Sequence, residues 1–225
     1  MIKAFIFDIG GTLVKTDEAI LDALEQSLNK NGLTLVDKGK VILTFGTSMP
    51  LIVRTAVELS YSGDDIESMI KKCYNSYCSI FPKKVASDFR VFPTVTNALH
   101  FLKNKAIKLA IVTGMIKEEA GFILGKVNLL QYFDAITARD EVISSRPNPE
   151  ALFLAMQRLG LEKDACKDCI YVGDTVVDIQ MAQNAKMRAV CVKTELQDNK
   201  LLENEKPDYF VDSFSEMITN LSHQL

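Results

Sequence analysis

The sequence has no apolar run near the eighteen or so residues that a membrane-spanning helix requires. It has no excess of one charge either. Lys and Arg number 26 against 29 Asp and Glu, a formal net charge of −3, and no basic stripe suits a nucleic acid. That balance leaves a phosphorylated small molecule open as a partner, because local groups decide binding. The start, 1–7, is a short apolar run that meets an acid at Asp8. It lacks the longer apolar region and small-residue cleavage site of a signal peptide. The expectation is a soluble, cytoplasmic protein without a membrane partner, as a monomer or homodimer. Histidine occurs only twice, and neither His100, off the apolar face of its predicted helix, nor His223, near the C-terminus, is assigned a role. The five cysteines are an odd number, which argues against a disulfide framework. Cys166 and Cys169 form a CxxC pair. No second such pair or His pair completes a zinc set, so they read as a loop cysteine beside one at a strand start. Internal repeats and low-complexity tracts are absent.

What is present is alternation. Short apolar runs rich in Ile, Val and Phe occur at 4–7, 109–112, 170–172 and 189–192, with helical patterns between them. That order predicts an α/β fold, a Rossmann-like parallel sheet with helices on both faces. A further strand is expected at 209–211, followed by a helix at 213–221. After Pro93, Val95, Ala98, Leu99 and Leu102 recur at i, i+3, i+4 and i+7, one apolar helix face. About eighty residues separate the first strand from this helix, too many for a plain crossover loop. They read as helices at 18–29, 50–60 and 64–78, punctuated by Gly32, Gly46 and Gly63, with Ser62 or Asp64 as a cap of the third. The expectation is a core domain, 1–15 and 85–225, and a small helical cap domain, 16–84, over the end of the first strand. Phe45, Phe81 and Phe92 are expected in packed positions.

In open α/β sheets, ligands bind outside the carboxyl ends of the strands. Asp8 follows the first predicted strand and Thr113-Gly114 the second. Gly173-Asp174-Thr175-Val176-Val177-Asp178 follows the third, and Arg146-Pro147-Asn148-Pro149 precedes a predicted helix. Two acids near one point suit magnesium, which prefers hard oxygen ligands. Asp178 lies one helical turn beyond Asp174 and can face the same point. A carboxylate such as Asp8 can attack phosphorus and form an aspartyl phosphate. Thr113 and nearby amides can hold phosphoryl oxygens, and Arg146 can neutralise charge near Asp8. Plainer readings exist for each: a turn for Gly10 and Gly11, a strand-end turn for Thr113-Gly114, a solvated base for Arg146, and a first-turn acid for Asp178. Asp8 and Asp174 resist them, since an unpaired acid in a crevice is costly.

These motifs, in this order and over nearly the whole chain, resemble the haloacid dehalogenase-like hydrolase superfamily. The helical insert and Tyr132-Phe133-Asp134 resemble its branch with an α-helical cap after the first motif. The resemblance implies a phosphatase of small phosphorylated metabolites that uses Mg2+. It implies Asp8, Thr113 and Arg146 as catalytic residues. Gly11, Thr12, Thr113, Gly114 and Arg146 would hold phosphate, and Asp8, the Gly10 carbonyl, Asp174 and Asp178 the metal. It implies substrate selection by the cap around 46–50. Two departures stand out. Gly10 occupies the position of the family's general acid, and Arg146 that of its usual Lys. General acid–base help is typically worth about 10² to 10⁴ in rate, so turnover is expected to be slow, or to rely on a substitute from Lys15, Asp17 or Arg54. Competing readings are a trapped phosphoenzyme, a non-catalytic ligand- or partner-binding protein and a haloacid dehalogenase. The carboxylates suited to magnesium favour phosphate.

Overall fold

The computed structural model describes residues 1–85, 90–194 and 196–225. The chain opens with β1 (Ala4–Phe7) and a two-residue β2 (Val14–Lys15). Four helices follow: α1 (Asp17–Lys30), α2 (Lys38–Ile42), α3 (Met49–Ser60) and α4 (Ile66–Val85). Then come β3 (Arg90–Val91), α5 (Val95–Asn104), β4 (Lys108–Val112), α6 (Lys117–Lys126) and β5 (Ala135–Thr137). The remainder is α7 (Glu150–Arg158), β6 (Cys169–Gly173), α8 (Val176–Asn184), β7 (Arg188–Val192), α9 (Asn199–Asn204), β8 (Tyr209–Val211) and α10 (Phe214–Leu221).

Six strands make one sheet in the order β5-β4-β1-β6-β7-β8, and every paired neighbour runs parallel. β1 is central because all four of its residues are apolar and buried, as a strand covered on both faces must be. Its side chains alternate between two cores. Phe5 and Phe7 join the core built with α5, α6 and α10. Ala4 and Ile6 join the core built with α7, α8 and α9. The sheet order places β4 and β6 on either side of β1, so their carboxyl ends open into one crevice.

The helical segment sits over that crevice. β2 and β3 pair antiparallel and form a two-stranded ribbon where the chain leaves and re-enters the core. α1 packs along α4, and the Ser27 hydroxyl donates to the Cys73 carbonyl at 2.5 Å. The third predicted helix begins at Ile66, where Asp65 accepts from the Ser68 amide at 3.3 Å, so neither Ser62 nor Asp64 is its cap. It also extends past 78 and includes Pro82. The helical segment is clasped to the core by Gln197, whose amide donates to the Ile42 carbonyl at 3.3 Å and accepts from the Val176 amide at 3.2 Å. Cys169 begins β6 and Cys166 lies buried against Met156; all five cysteines are free thiols. No helix among the described residues is long and apolar enough to cross a membrane.

Candidate active site

Asp8 leaves β1 at the point where the sheet ends, and is buried. Thr113 follows β4 and Asp174 follows β6. Asp8, Asp174 and Asp178 each offer a carboxylate oxygen, all within 4.8 Å of one another. Arg146 reaches this cluster from the loop before α7. Its Nη2 donates to Asp8 Oδ1 at 2.6 Å and to the Val112 carbonyl at 2.6 Å. Its Nη1 donates to Asp178 Oδ1 and to the Gly46 carbonyl, both at 3.1 Å. The planar fork thus ties Asp8, the end of β4, the start of α8 and the helical segment together.

Asp178 is heavily engaged. Its Oδ2 accepts from the Thr175 hydroxyl at 2.6 Å and from the amides of Thr175 and Asp174 at 3.1 and 3.3 Å. Its Oδ1 accepts from Tyr171 at 2.9 Å as well as from Arg146. Asp174 has one side-chain donor, the Thr12 hydroxyl at 2.6 Å. Gly11 stands at φ +76°, and a Cβ there would run into the Asp174 carboxylate. Glycine is therefore required for both conformation and space. Gly46, at φ +86°, lies against Thr175 in the same way, which lets the helical segment close on the loop after β6.

Three buried carboxylates against one guanidinium leave the cluster short of positive charge. Burial pushes Asp8 up to about 6, with Asp178 adding to the rise and Arg146 opposing it. Asp174 is pushed well above the usual range by burial and then by Asp17, Asp178 and Asp8. Burial works against the Arg146 charge, but Tyr171, Asp8 and Asp178 hold it firmly protonated. A divalent cation with a preference for oxygen would supply the missing charge, so the donor set fits magnesium.

A cavity of about 60 Å³ opens beside the cluster. Asp8, Gly10, Thr113, Gly114, Arg146 and Asp174 line it. Gly11, Thr12 and Asp178 stand behind that lining, and the Thr12 hydroxyl, expected at phosphate, is spent on Asp174. Among the substitute acids, Asp17 lines the cavity, and burial followed by Asp8 and Glu18 raises it to about 6. Lys15 instead lies over the Phe92 ring at 5.4 Å, and Arg54 pairs with Glu67 on the surface at 2.7 Å. Phe45 and Phe81 line the cavity, whereas Phe92 packs against the core. His100 is exposed, and His223 lies in the terminal 3-10 turn.

Sequence reasoning missed Thr16, Tyr77, Met115 and Glu119, which also line the cavity, whereas Gly46, Thr47 and Met49 of the expected 46–50 run do line it. It also missed Tyr171, which steadies Asp178. Thr16 fills the space of the absent acid. A Cβ on Gly10 would stand 2.5 Å from Thr16 Oγ1 and 3.3 Å from Met115 Cε, and that buried Thr16 hydroxyl has no hydrogen-bond partner among the described residues.

Residues 5–192 match the family Haloacid dehalogenase-like hydrolase. The chain is 30% identical over 215 residues to "Probable phosphatase IndB" of Dickeya dadantii (strain 3937), covering 95% of this chain and 90% of that one. It is 29% identical over 223 residues to "Pyrophosphatase PpaX" of Bacillus mycoides (strain KBAB4), covering 98% and 97%. The crystal structure of a predicted phosphoglycolate phosphatase from Haemophilus somnus 129pt superposes with a TM-score of 0.86 at 21% identity, over 97% of each chain.

Proposed function

The chain belongs to the haloacid dehalogenase-like hydrolase family, and from that membership we propose that it is a magnesium-dependent phosphohydrolase acting on a small phosphorylated metabolite through an aspartyl phosphate at Asp8. The observation that carries this reading is the buried contact of Arg146 with Asp8 at 2.6 Å, beside Asp174 and facing the cavity. Arg146 leaves one carboxylate oxygen of Asp8 oriented for attack. That oxygen bonds to phosphorus as the phosphorus–oxygen bond of the ester breaks, and the alkoxide departs with the electron pair and takes a proton from Asp17 or from water to become the alcohol. Water then attacks phosphorus, releases inorganic phosphate and restores the Asp8 carboxylate. Thr113 and the amides around it bind the phosphoryl oxygens. Asp8, the Gly10 carbonyl and Asp174 would hold the magnesium ion, whose chemistry is to offset repulsion between the attacking carboxylate and the phosphate. Asp178, fully engaged by Thr175, Tyr171 and Arg146, positions the arginine.

Gly10 cannot move a proton. Asp17 is the carboxylate lining the cavity that stands closest in role, able to protonate the leaving alcohol and later to accept a proton from water. It is half-buried in the first turn of α1 rather than on the loop that carries Asp8, so its help is expected to be weaker than that of an acid at position 10. Phosphate release from para-nitrophenyl phosphate and acetyl phosphate, with magnesium and with a chelator, tests the reading. Metal-dependent release is expected on both. No release from either would turn the weight to a ligand-binding role for the fold.

A further inference from the structure

The cavity beside Asp8 divides into two chemically different halves. The half toward the sheet carries Arg146, Thr113 and the carboxylates. The half toward the helical segment is built from Ile20, Phe45, Met49, Ile52, Phe81 and Met115. Arg146 is the single Lys, Arg or His lining the cavity among the described residues, and its fork is already committed to Asp8 and Asp178. The other charged side chains lining the helical half are acidic: Asp17 at the start of α1 and Glu119 in the first turn of α6. Glu119 is half-buried, and burial raises its carboxyl above the usual range. Tyr77 is fully buried, stacked on Phe81 at 5.1 Å between ring centres, and its hydroxyl has no partner among the described residues. The Thr16 hydroxyl is likewise unpartnered.

We infer that the alcohol half of the substrate is uncharged and mainly apolar, an aryl or short alkyl group, and that substrates with an anionic leaving group are rejected. The inference rests on the phosphohydrolase reading and narrows it. A carboxylate or second phosphate in the helical half would meet Asp17 and Glu119 with no cation to answer it, and like charges brought together there cost much of the binding. An apolar ring or chain would bury against the Ile20, Phe45 and Phe81 side chains and lose nothing polar. The two unpartnered hydroxyls offer a bond to one hydroxyl or ether oxygen on such a group. Between the two, the absent acid at position 10 favours the aryl group, because an aryl oxide leaves without the proton that an alkoxide needs.

The test compares kcat/KM at matched leaving groups, phenyl phosphate against pyrophosphate and propyl phosphate against phosphoglycolate, at saturating magnesium. The neutral esters should exceed the anionic substrates on the order of 10²-fold. Glu119→Gln keeps an acceptor for the Ile116 amide but removes the charge, and should raise the phosphoglycolate to phenyl phosphate ratio about tenfold. A folding defect would lower both rates and leave their ratio alone. Faster turnover of pyrophosphate or phosphoglycolate, or a ratio unmoved by Glu119→Gln, would overturn the inference while leaving the phosphohydrolase standing. If no substrate turns over, that reading fails, and calorimetric binding of phenylphosphonate against phosphonoacetate decides this inference separately. Tighter phenylphosphonate supports it; tighter phosphonoacetate, or binding of neither, overturns it.

Discussion

Restoring an acid at position 10 should require two substitutions, not one. In Gly10→Asp the new Cβ stands 2.5 Å from Thr16 Oγ1 and 3.3 Å from Met115 Cε. The methionine can give way, but Thr16 is β-branched, fully buried and stiff at χ1. Overpacking of this kind costs about 1–3 kcal/mol, which for a chain of this size lowers Tm by roughly 2–4 °C per kcal/mol. It would also push the new carboxylate off its line to the leaving group. Thr16→Ala removes the clash, leaving the Thr16 Cβ at an ordinary 3.7 Å. That change is mild by itself, because the hydroxyl has no partner and caps nothing at the start of α1. Gly10→Asp alone is expected to gain little on propyl phosphate. Gly10→Asp with Thr16→Ala should gain about 10²-fold or more, toward the range typical of general acid catalysis. The gain on para-nitrophenyl phosphate should be much smaller, since its leaving group needs no proton. Steady-state rates for wild type, both single variants and the double variant form the assay, with Tm as the check on folding. A full gain from Gly10→Asp alone would refute the steric argument. No gain in a well-folded double variant would show that the missing acid is not what limits turnover.

Arg146→Lys keeps the charge but cannot span four acceptors. The bond to the Gly46 carbonyl should be lost first, loosening closure of the helical segment, with KM rising about fivefold for one net hydrogen bond. A fall in kcat at unchanged KM would contradict that assignment. The raised carboxyls set a pH dependence. Asp8 and Asp17 each lie near 6 when folded, against an ordinary value of 3.8, so the folded protein holds protons that the unfolded chain releases. Without metal, stability should fall as pH rises from about 4 through 6. Magnesium replaces those protons, so the Tm gained on adding it should be larger at about pH 7.5 than at about pH 5, as thermal melts would reveal. Equal gains at both would mean these acids do not meet the ion. Tyr171→Phe removes a buried donor to Asp178 Oδ1 and should cost about 1–3 kcal/mol by denaturant titration, with some loss of kcat. An unchanged midpoint would show the bond to be dispensable.

The sheet was legible because its central strands are unbroken apolar runs that end on acids. Ala4–Phe7 closing on Asp8 carries both the strand and the site in five residues. β5 escaped because Ala135–Thr137 is three residues on a sheet edge, and the β2–β3 ribbon because two-residue strands have no period to detect. The third helix of the insert runs past the expected end at 78 to Val85, and Pro82, a residue that usually marks an end, falls in its last turn followed by Lys83 and Lys84. The cluster of Asp8, Asp174 and Arg146 could be anticipated because the two acids each follow a strand end and Arg146 precedes a predicted helix in the same motif order. Thr16, Tyr77 and Glu119 could not, since they come from the residue before α1, from α4 and from α6, whose meeting is decided by how the helical segment packs over the sheet. Asp178 was legible as a candidate metal ligand one turn beyond Asp174 but not as an acceptor already engaged by Tyr171 and Arg146, because those two reach it only through the fold.

The nucleophile is best tested by trapping it. Wild-type protein mixed with acetyl phosphate and magnesium, quenched in acid and digested, should carry phosphate on the peptide containing Asp8, and the label should be discharged by hydroxylamine, as an acyl phosphate is. Asp8→Asn should show neither the label nor any phosphate release. Turnover by a clean Asp8→Asn preparation, or phosphate on another residue, would contradict the assignment of Asp8 as the group that attacks phosphorus.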